Sequence, residues 1–280
     1  MIFWIPACAG MSGVEMAQEK FIGVICGLKS EAEAVSASVD ASEIRIGVSG
    51  ANAARAEEIA REFCNDGASA IISVGVSGGL DPAVKPGDLI IGETIIADDG
   101  SVYASDKYLL AAITSDHPGE GRGPETLRKM DPGWSLSSGR PLAGSGGRDS
   151  RSGYLVAKLF GADEIIDSAA KKSALFHNHG CAAVDMESHG AARAAARAGA
   201  PFIAIRAIAD PADRALPQAA LNAVAADGST RVWSTLGAAM RDPKQFPELM
   251  KLGGDSAAAT KTLRRSLGPL FARLFLCFDL

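Results

Sequence analysis

Apolar residues fall along this chain in short dense runs closed by glycine, proline or polar clusters, and the runs alternate with stretches of helical periodicity. Residues 21–28 form such a run. Lys29-Ser30-Glu31-Ala32-Glu33-Ala34 then opens a helix, so the first unit reads as a buried strand feeding a helix, the start of a parallel α/β sheet. Residues 44–48 predict a second strand, and Ser49-Gly50-Ala51-Asn52 a turn whose last residue caps an amphipathic helix over 53–64. Another strand over 70–76 runs into Ser77-Gly78-Gly79-Leu80, and a turn over 82–88 leads to a strand over 89–96. From 114 to 153 the periodicity fades into glycine-rich clusters, which predicts a loop-rich insertion.

Order returns with a strand over 154–160 and a helix over 168–177. A short apolar run through Val184 hands over to an alanine-rich helix starting near Glu187, and 201–211 is an apolar strand ending in Asp210-Pro211. Residues 216–280 read as a helical segment with breaks at Asp227-Gly228 and Asp242-Pro243. It closes with a basic amphipathic helix over 257–273 and an apolar tail over 274–278. The tail is either core packing or a contact surface.

Composition narrows the class. At 280 residues, 47% hydrophobic and 22% charged, the chain can bury a large core, and one α/β domain over 19–280 accounts for the alternation. Residues 1–10 are apolar but lack the basic flank of a signal peptide, and residues 1–18 read as an extension outside the fold. A net charge of −5 gives no footprint for nucleic acid and leaves a small molecule as the expected partner. No apolar run reaches the roughly 18 to 20 residues of a membrane span, which leaves at most peripheral membrane contact. Five scattered cysteines without CxxC spacing suggest neither a disulfide framework nor a zinc site, and fit a reducing cytoplasm.

Three acids stand at the carboxyl ends of predicted strands, where open α/β sheets put their ligands: Glu31, Glu187 and Asp210. Each has a plainer explanation, because acids are favoured in the first turn of any helix and Asp-Pro is an ordinary helix entry. Partial desolvation at a strand end would raise the pKa of Asp210 and suit it to donate a proton. The Ser77-Gly78-Gly79 corner admits close backbone approach to a ligand and equally serves as a tight turn; it is neither a Walker loop nor a GxGxxG motif. Basic residues of the insertion, Arg122, Arg128, Arg140, Arg148 and Arg151, read as solvated loop rather than an anion site.

Taken together, Ile22-Gly23-Val24-Ile25-Cys26-Gly27-Leu28-Lys29-Ser30-Glu31, residues 47–54, 74–79, 84–90, 183–188 and 205–210 resemble the purine nucleoside phosphorylase and methylthioadenosine/S-adenosylhomocysteine nucleosidase superfamily, in order and spacing. Val184-Asp185-Met186-Glu187-Ser188-His189 and Arg206-Ala207-Ile208-Ala209-Asp210-Pro211 look most like its hopanoid-associated branch, whose members are implicated in removing adenine from adenosylhopane. The resemblance implies a mixed central sheet flanked by helices, a homo-oligomer, no cofactor, and a nucleoside substrate that carries a lipid tail if the branch assignment holds.

It also implies roles. Asp210 matches the acid that addresses purine N7, Glu187 the residue holding the ribose hydroxyls with Met186 against the sugar, and Glu31 the acid that orients or deprotonates the attacking water. Val76, Ser77 and Gly78 match the anion- or water-binding corner, and Ile165 and Ile166 the purine-facing segment. Asp185 is expected either to face solvent or to cap the helix. A carboxylate at Glu31 would repel phosphate, which favours water as nucleophile and leaves phosphate as the alternative co-substrate. Three positions depart from the pattern: Val76 and Ala209 stand where relatives carry hydroxyl residues, and Ile165 where nucleosidases often carry an aromatic. A soluble methylthioadenosine/S-adenosylhomocysteine nucleosidase and a nucleoside-binding module without chemistry are the alternatives.

Overall fold

A computed structural model describes residues 20–40, 42–114, 153–217, 227–229 and 246–278. The extension over 1–18, the insertion beyond Thr114 with its arginines, and the Asp242-Pro243 break lie outside the described residues. Among the described residues every strand belongs to one eight-stranded mixed sheet. Strand β1 (Ile22–Cys26) lies between β2 (Ile44–Val48) and β3 (Ala70–Gly79), parallel to both. Beyond β3 the sheet continues through β4 (Leu89–Ala97), β5 (Val102–Ala104), β6 (Leu155–Gly161), β7 (Ala183–Asp185) and β8 (Phe202–Asp210).

Five strands close on themselves. β3 pairs with β7 and β8, β8 also with β4, β4 with β6, and β6 with β7, so the path returns to its start. Closure leaves β8 without a free edge, consistent with its nine residues being buried throughout.

Alternating strand residues feed two apolar layers, as the two-residue period of a strand requires. On one side Val24, Ile72, Val74 and Ile203 meet α1 (Lys29–Ser36), α3 (Lys107–Thr114) and the long final helix. On the other, Ile25, Ile71 and Ile208 meet α2 (Ala53–Asn65) and the alanine-rich helix α5. The remaining helix on this course, α4 (Ala169–His179), is capped by Ser168, and α5 spans Ser188–Ala198. As expected, Asn52 caps α2, its side chain accepting from the Arg55 amide at 2.8 Å.

The final helix, α6, differs from expectation. It runs from Phe246 to Phe275, beginning well before 257 and passing through Gly253-Gly254. Pro247 falls in its first turn, where the missing N–H costs no bond. Ala259, Leu263, Leu267, Leu270, Phe271 and Leu274 are buried along one face, so tertiary packing outweighs the weak propensity of the two glycines. Cys277 and Phe278 are also buried, so most of the tail packs into the core, while Leu276 is left exposed. Neither β5 nor α3 stands out in the sequence, β5 because three half-exposed residues carry no period to read.

Gly190 sets the distance between α2 and α5. A Cβ there would lie 2.1 Å from the Ala53 carbonyl oxygen, a backbone atom that cannot swing aside. Gly190→Ala is therefore expected to destabilise the fold by about 1–3 kcal/mol, read as a lowered urea midpoint. An unchanged midpoint would mean that the two helices have slack.

Candidate active site

Strand β3 passes Glu31, which neighbours Glu187, and then Asp210, which meets it three residues further along. Its last turn of backbone runs between the ends of β1 and β8, with Cys26 opposite Val74, Arg206 opposite Gly75 and Asp210 opposite Gly78. Glycine is needed where the acids crowd it. A Cβ at Gly75 would stand 3.0 Å from both carboxylate oxygens of Glu31, and one at Gly78 would stand 3.1 Å from Asp210 Oδ1. Gly27 is tighter still, since its Cβ would fall 2.3 Å from Glu187 Oε1 and 3.5 Å from Glu31 Oε2. Glu31 and Glu187 are thus neighbours, although the chain separates them by most of its length.

Glu31 is held by backbone alone. Its Oε2 accepts from the amides of Gly27 and Leu28, each at 2.9 Å, and its Oε1 accepts from the Val76 amide at 2.8 Å. The first two bonds cap α1, the plainer reading of this acid, and the third ties that cap to β3. Burial raises its carboxyl above the usual range, while the Val76, Leu28 and Gly27 amides and the Arg206 cation work against the rise.

Asp185 does not face solvent. It is fully enclosed, and its Oδ1 accepts from the amides of Glu187 and Ser188 at 2.9 and 2.7 Å, capping α5 from before its first residue. Its Oδ2 accepts from Ser188 Oγ at 2.6 Å and from Arg206 Nε at 3.0 Å. The cation and these donors hold Asp185 below the ordinary carboxylate range although burial pushes the other way. Arg206 also donates to Ser73 Oγ and Ser188 Oγ, at 2.7 and 2.9 Å, and lies 3.6 Å from Glu187 Oε2.

Glu187 is the least compensated of the set. Burial pushes its carboxyl up to about 8; Arg206 opposes the rise, and Asp185 and Glu31 add to it. In its protonated form it can donate as well as accept a hydrogen bond, which suits it to a diol.

Asp210 is buried, and burial raises its carboxyl against the pull of Lys172 and Arg214. Its Oδ2 accepts from the ammonium of Lys172. The methyl of Ala209 offers no hydroxyl beside it, and Lys172 supplies a donor instead. Val76 contributes its amide to Glu31, and Ser77 Oγ is buried without a partner among the described residues. Met186 is half-buried between the two acids. Ile165 is 40% exposed, whereas Ile166 packs against the cluster of Leu80, Phe160 and Val184.

Sequence reasoning passed over Arg206, Lys172, Ser73 and Ser188. Two of them carry a readable signal. Arg206 is a lone charge inside an otherwise apolar strand, and such a charge must be paired. Lys172 falls three and four residues before Leu175 and Phe176, on the inward stripe of α4.

The displaced carboxyl of Glu187 predicts a pH effect. A folded-state pKa of about 8 against an ordinary 4.5 means that the folded protein holds a proton the unfolded chain has lost between those values. Stability from this group is complete below about pH 4.5 and is lost as pH rises through about 8. Glu187→Gln is expected to flatten the decline in unfolding free energy over that window, measured by urea titration at several pH values. Parallel curves for the two proteins would refute the assignment.

A family model described as the phosphorylase superfamily matches residues 37–236. The 5′-methylthioadenosine/S-adenosylhomocysteine nucleosidases of Mycobacterium bovis and Mycobacterium tuberculosis are 28% identical to this chain over 154 residues, 51% of this chain and 60% of theirs. The chain thus spans about 60% of the length of these curated relatives. Among solved structures, futalosine hydrolase of Helicobacter pylori is similar at TM-score 0.56 and 15% identity, over 89% of this chain and 97% of that one. The nucleosidase of Neisseria meningitidis in complex with methylthio-immucillin-A is similar at TM-score 0.55 and 17% identity, over 90% and 99%. At such identities the likeness is one of fold. With more than half of its length matched by the family model, the chain belongs to the phosphorylase superfamily.

Proposed function

We propose that this chain hydrolyses the N-glycosidic bond of a 5′-substituted adenosine and releases adenine. The observation that carries the reading is the seat of Glu31. Inward amides at a strand-to-helix turn are a natural cradle for an anion. Here the Gly27, Leu28 and Val76 amides are already taken by a carboxylate. A phosphate would have to displace Glu31 or approach beside its charge, so water is the fitting nucleophile.

The remaining groups suit that chemistry. Cleavage of C1′–N9 passes through an oxocarbenium-like sugar, which calls for a base at the water, anchoring of the ribose and neutralisation of the leaving purine. Water adds its oxygen to C1′ and passes a proton to Glu31, whose pKa is raised above the usual range by burial, which makes it a stronger base. Glu187 binds the ribose hydroxyls with Met186 against the sugar. The bonding pair leaves with N9, and Asp210 addresses N7 of the departing base. The curated relatives are named for nucleosidase activity on 5′-modified adenosines, which supports the substrate class.

For the 5′ substituent we propose a hopanoid tail, on the strength of the Val184–His189 and Arg206–Pro211 motifs. Of the tail over 274–278, Leu274, Cys277 and Phe278 are packed inside and Leu276 alone is exposed, a small apolar surface for such a lipid. The second reading, a methylthioadenosine/S-adenosylhomocysteine nucleosidase, is favoured by the 28% identity to proteins of that name. We further propose that the protein works as a homo-oligomer.

One assay separates these readings: adenine release from adenosylhopane, methylthioadenosine and adenosine, with and without phosphate. Release from adenosylhopane without phosphate is expected. Release from methylthioadenosine alone would sink the hopanoid assignment, strict phosphate dependence the argument from Glu31, and no release from any substrate would leave a binding module. In the same assay Asp210→Asn is expected to lower turnover by at least about 100-fold while adenine binding measured by calorimetry persists. Undiminished turnover would remove Asp210 from the mechanism.

A further inference from the structure

Lys171 and Lys172 are adjacent in α4, and their environments are opposite. Lys171 reaches into solvent toward Asp167, 61% exposed, whereas the side chain of Lys172 is 1% exposed. Around the Lys172 ammonium stand three acceptors: Asp210 Oδ2, the Pro211 carbonyl at 2.9 Å and the Arg214 carbonyl at 3.0 Å. An ammonium has three N–H donors, so each is matched. A cation so enclosed is tolerable only when paired and fully hydrogen-bonded, and every partner it has belongs to Asp210 or to the turn that follows it.

The other oxygen of Asp210, Oδ1, is the nearer of the two to the glycine corner: a Cβ at Gly78 would stand 3.1 Å from Oδ1 and 3.6 Å from the Lys172-bound Oδ2. The further charges acting on this carboxylate are Arg214, from the turn after β8, and Asp255, from α6. Those two are paired with each other. Lys172 is therefore the one cation in direct contact with Asp210 among the described residues.

We propose that Lys172 is a positioning residue for Asp210: it ties down Oδ2, so that Oδ1 alone is presented toward the base, and it sets the proton affinity of that oxygen. The proposal rests on the nucleosidase reading for its meaning in catalysis, though the interaction itself does not. Without the ammonium the carboxylate is free to rotate, and burial acts on it with little opposition, which raises its affinity for a proton.

The test uses Lys172→Gln, which keeps N–H donors and drops the charge, and Lys172→Met, which fills similar space with no donor. The first readout is the titration of the Asp210 carboxyl by carbon-13 NMR, its signal assigned by its loss in Asp210→Asn. The midpoint is expected to rise by at least about one unit when the ammonium is removed. A midpoint unmoved in the folded variant overturns the proposal, and because no turnover is needed, this outcome is independent of what the protein cleaves.

The second readout compares adenine release with release of 4-nitrophenolate from a 4-nitrophenyl riboside, whose leaving group needs no proton. The charge-free variants are expected to lose about 100-fold on the adenine substrate and to keep the nitrophenolate rate. Equal losses on both substrates would mark a role in folding only and overturn the proposal. If the wild-type protein releases no adenine, the nucleosidase reading fails instead, and the carboxyl titration still decides what Lys172 does.

Discussion

The structure depends on a guanidinium buried in the middle of a strand. Arg206 has no access to solvent and sits in β8, whose other buried positions are almost all apolar. Such a charge is tolerated only with near-complete compensation, and Asp185, Ser73 and Ser188 provide it, with Glu187 close by. These partners come from β3, β7 and the first turn of α5. Satisfying one cation therefore fixes where three elements meet, and with them the two acids at the end of β7.

Around that centre the carboxylates differ in state because they differ in company. Asp185 has the cation and three donors within its own reach and stays ionised. Glu187 shares the same cation at greater distance and faces two other acids, so it holds its proton to higher pH. Glu31 has backbone amides as its main support, which offset burial only in part. A set of like groups with graded proton affinities, rather than several equal acids, is what general acid and base chemistry requires.

Much of the fold is legible in the sequence, because the strands are dense apolar runs ended by glycine or acid and the helices carry clear periods or caps. Asn52 and Ser168 announce their helices, and Glu31, Glu187 and Asp210 stand where strands end. What escapes is whatever depends on contacts between distant segments. The ring closure through β7 rests on three residues with no period to detect. The reach of α6 back to Phe246 rests on packing that outweighs two glycines. The pairing of Lys172 with Asp210 joins α4 to β8 and has no local counterpart. Asp185, read as an acid that faces solvent or caps a helix, is the partner of a cation 21 residues away.

The amide cradle at the β1–α1 turn bears on how one scaffold could serve two reaction classes. Three inward N–H groups are spoken for by the side chain of a single residue of the same chain, a built-in anion standing where an external one would fit. Remove that carboxylate and the backbone remains as an empty, positively polarised seat next to Glu187. Choice of nucleophile would then be a property of one side chain laid over a constant backbone, so hydrolytic and phosphorolytic relatives need not differ in architecture at all.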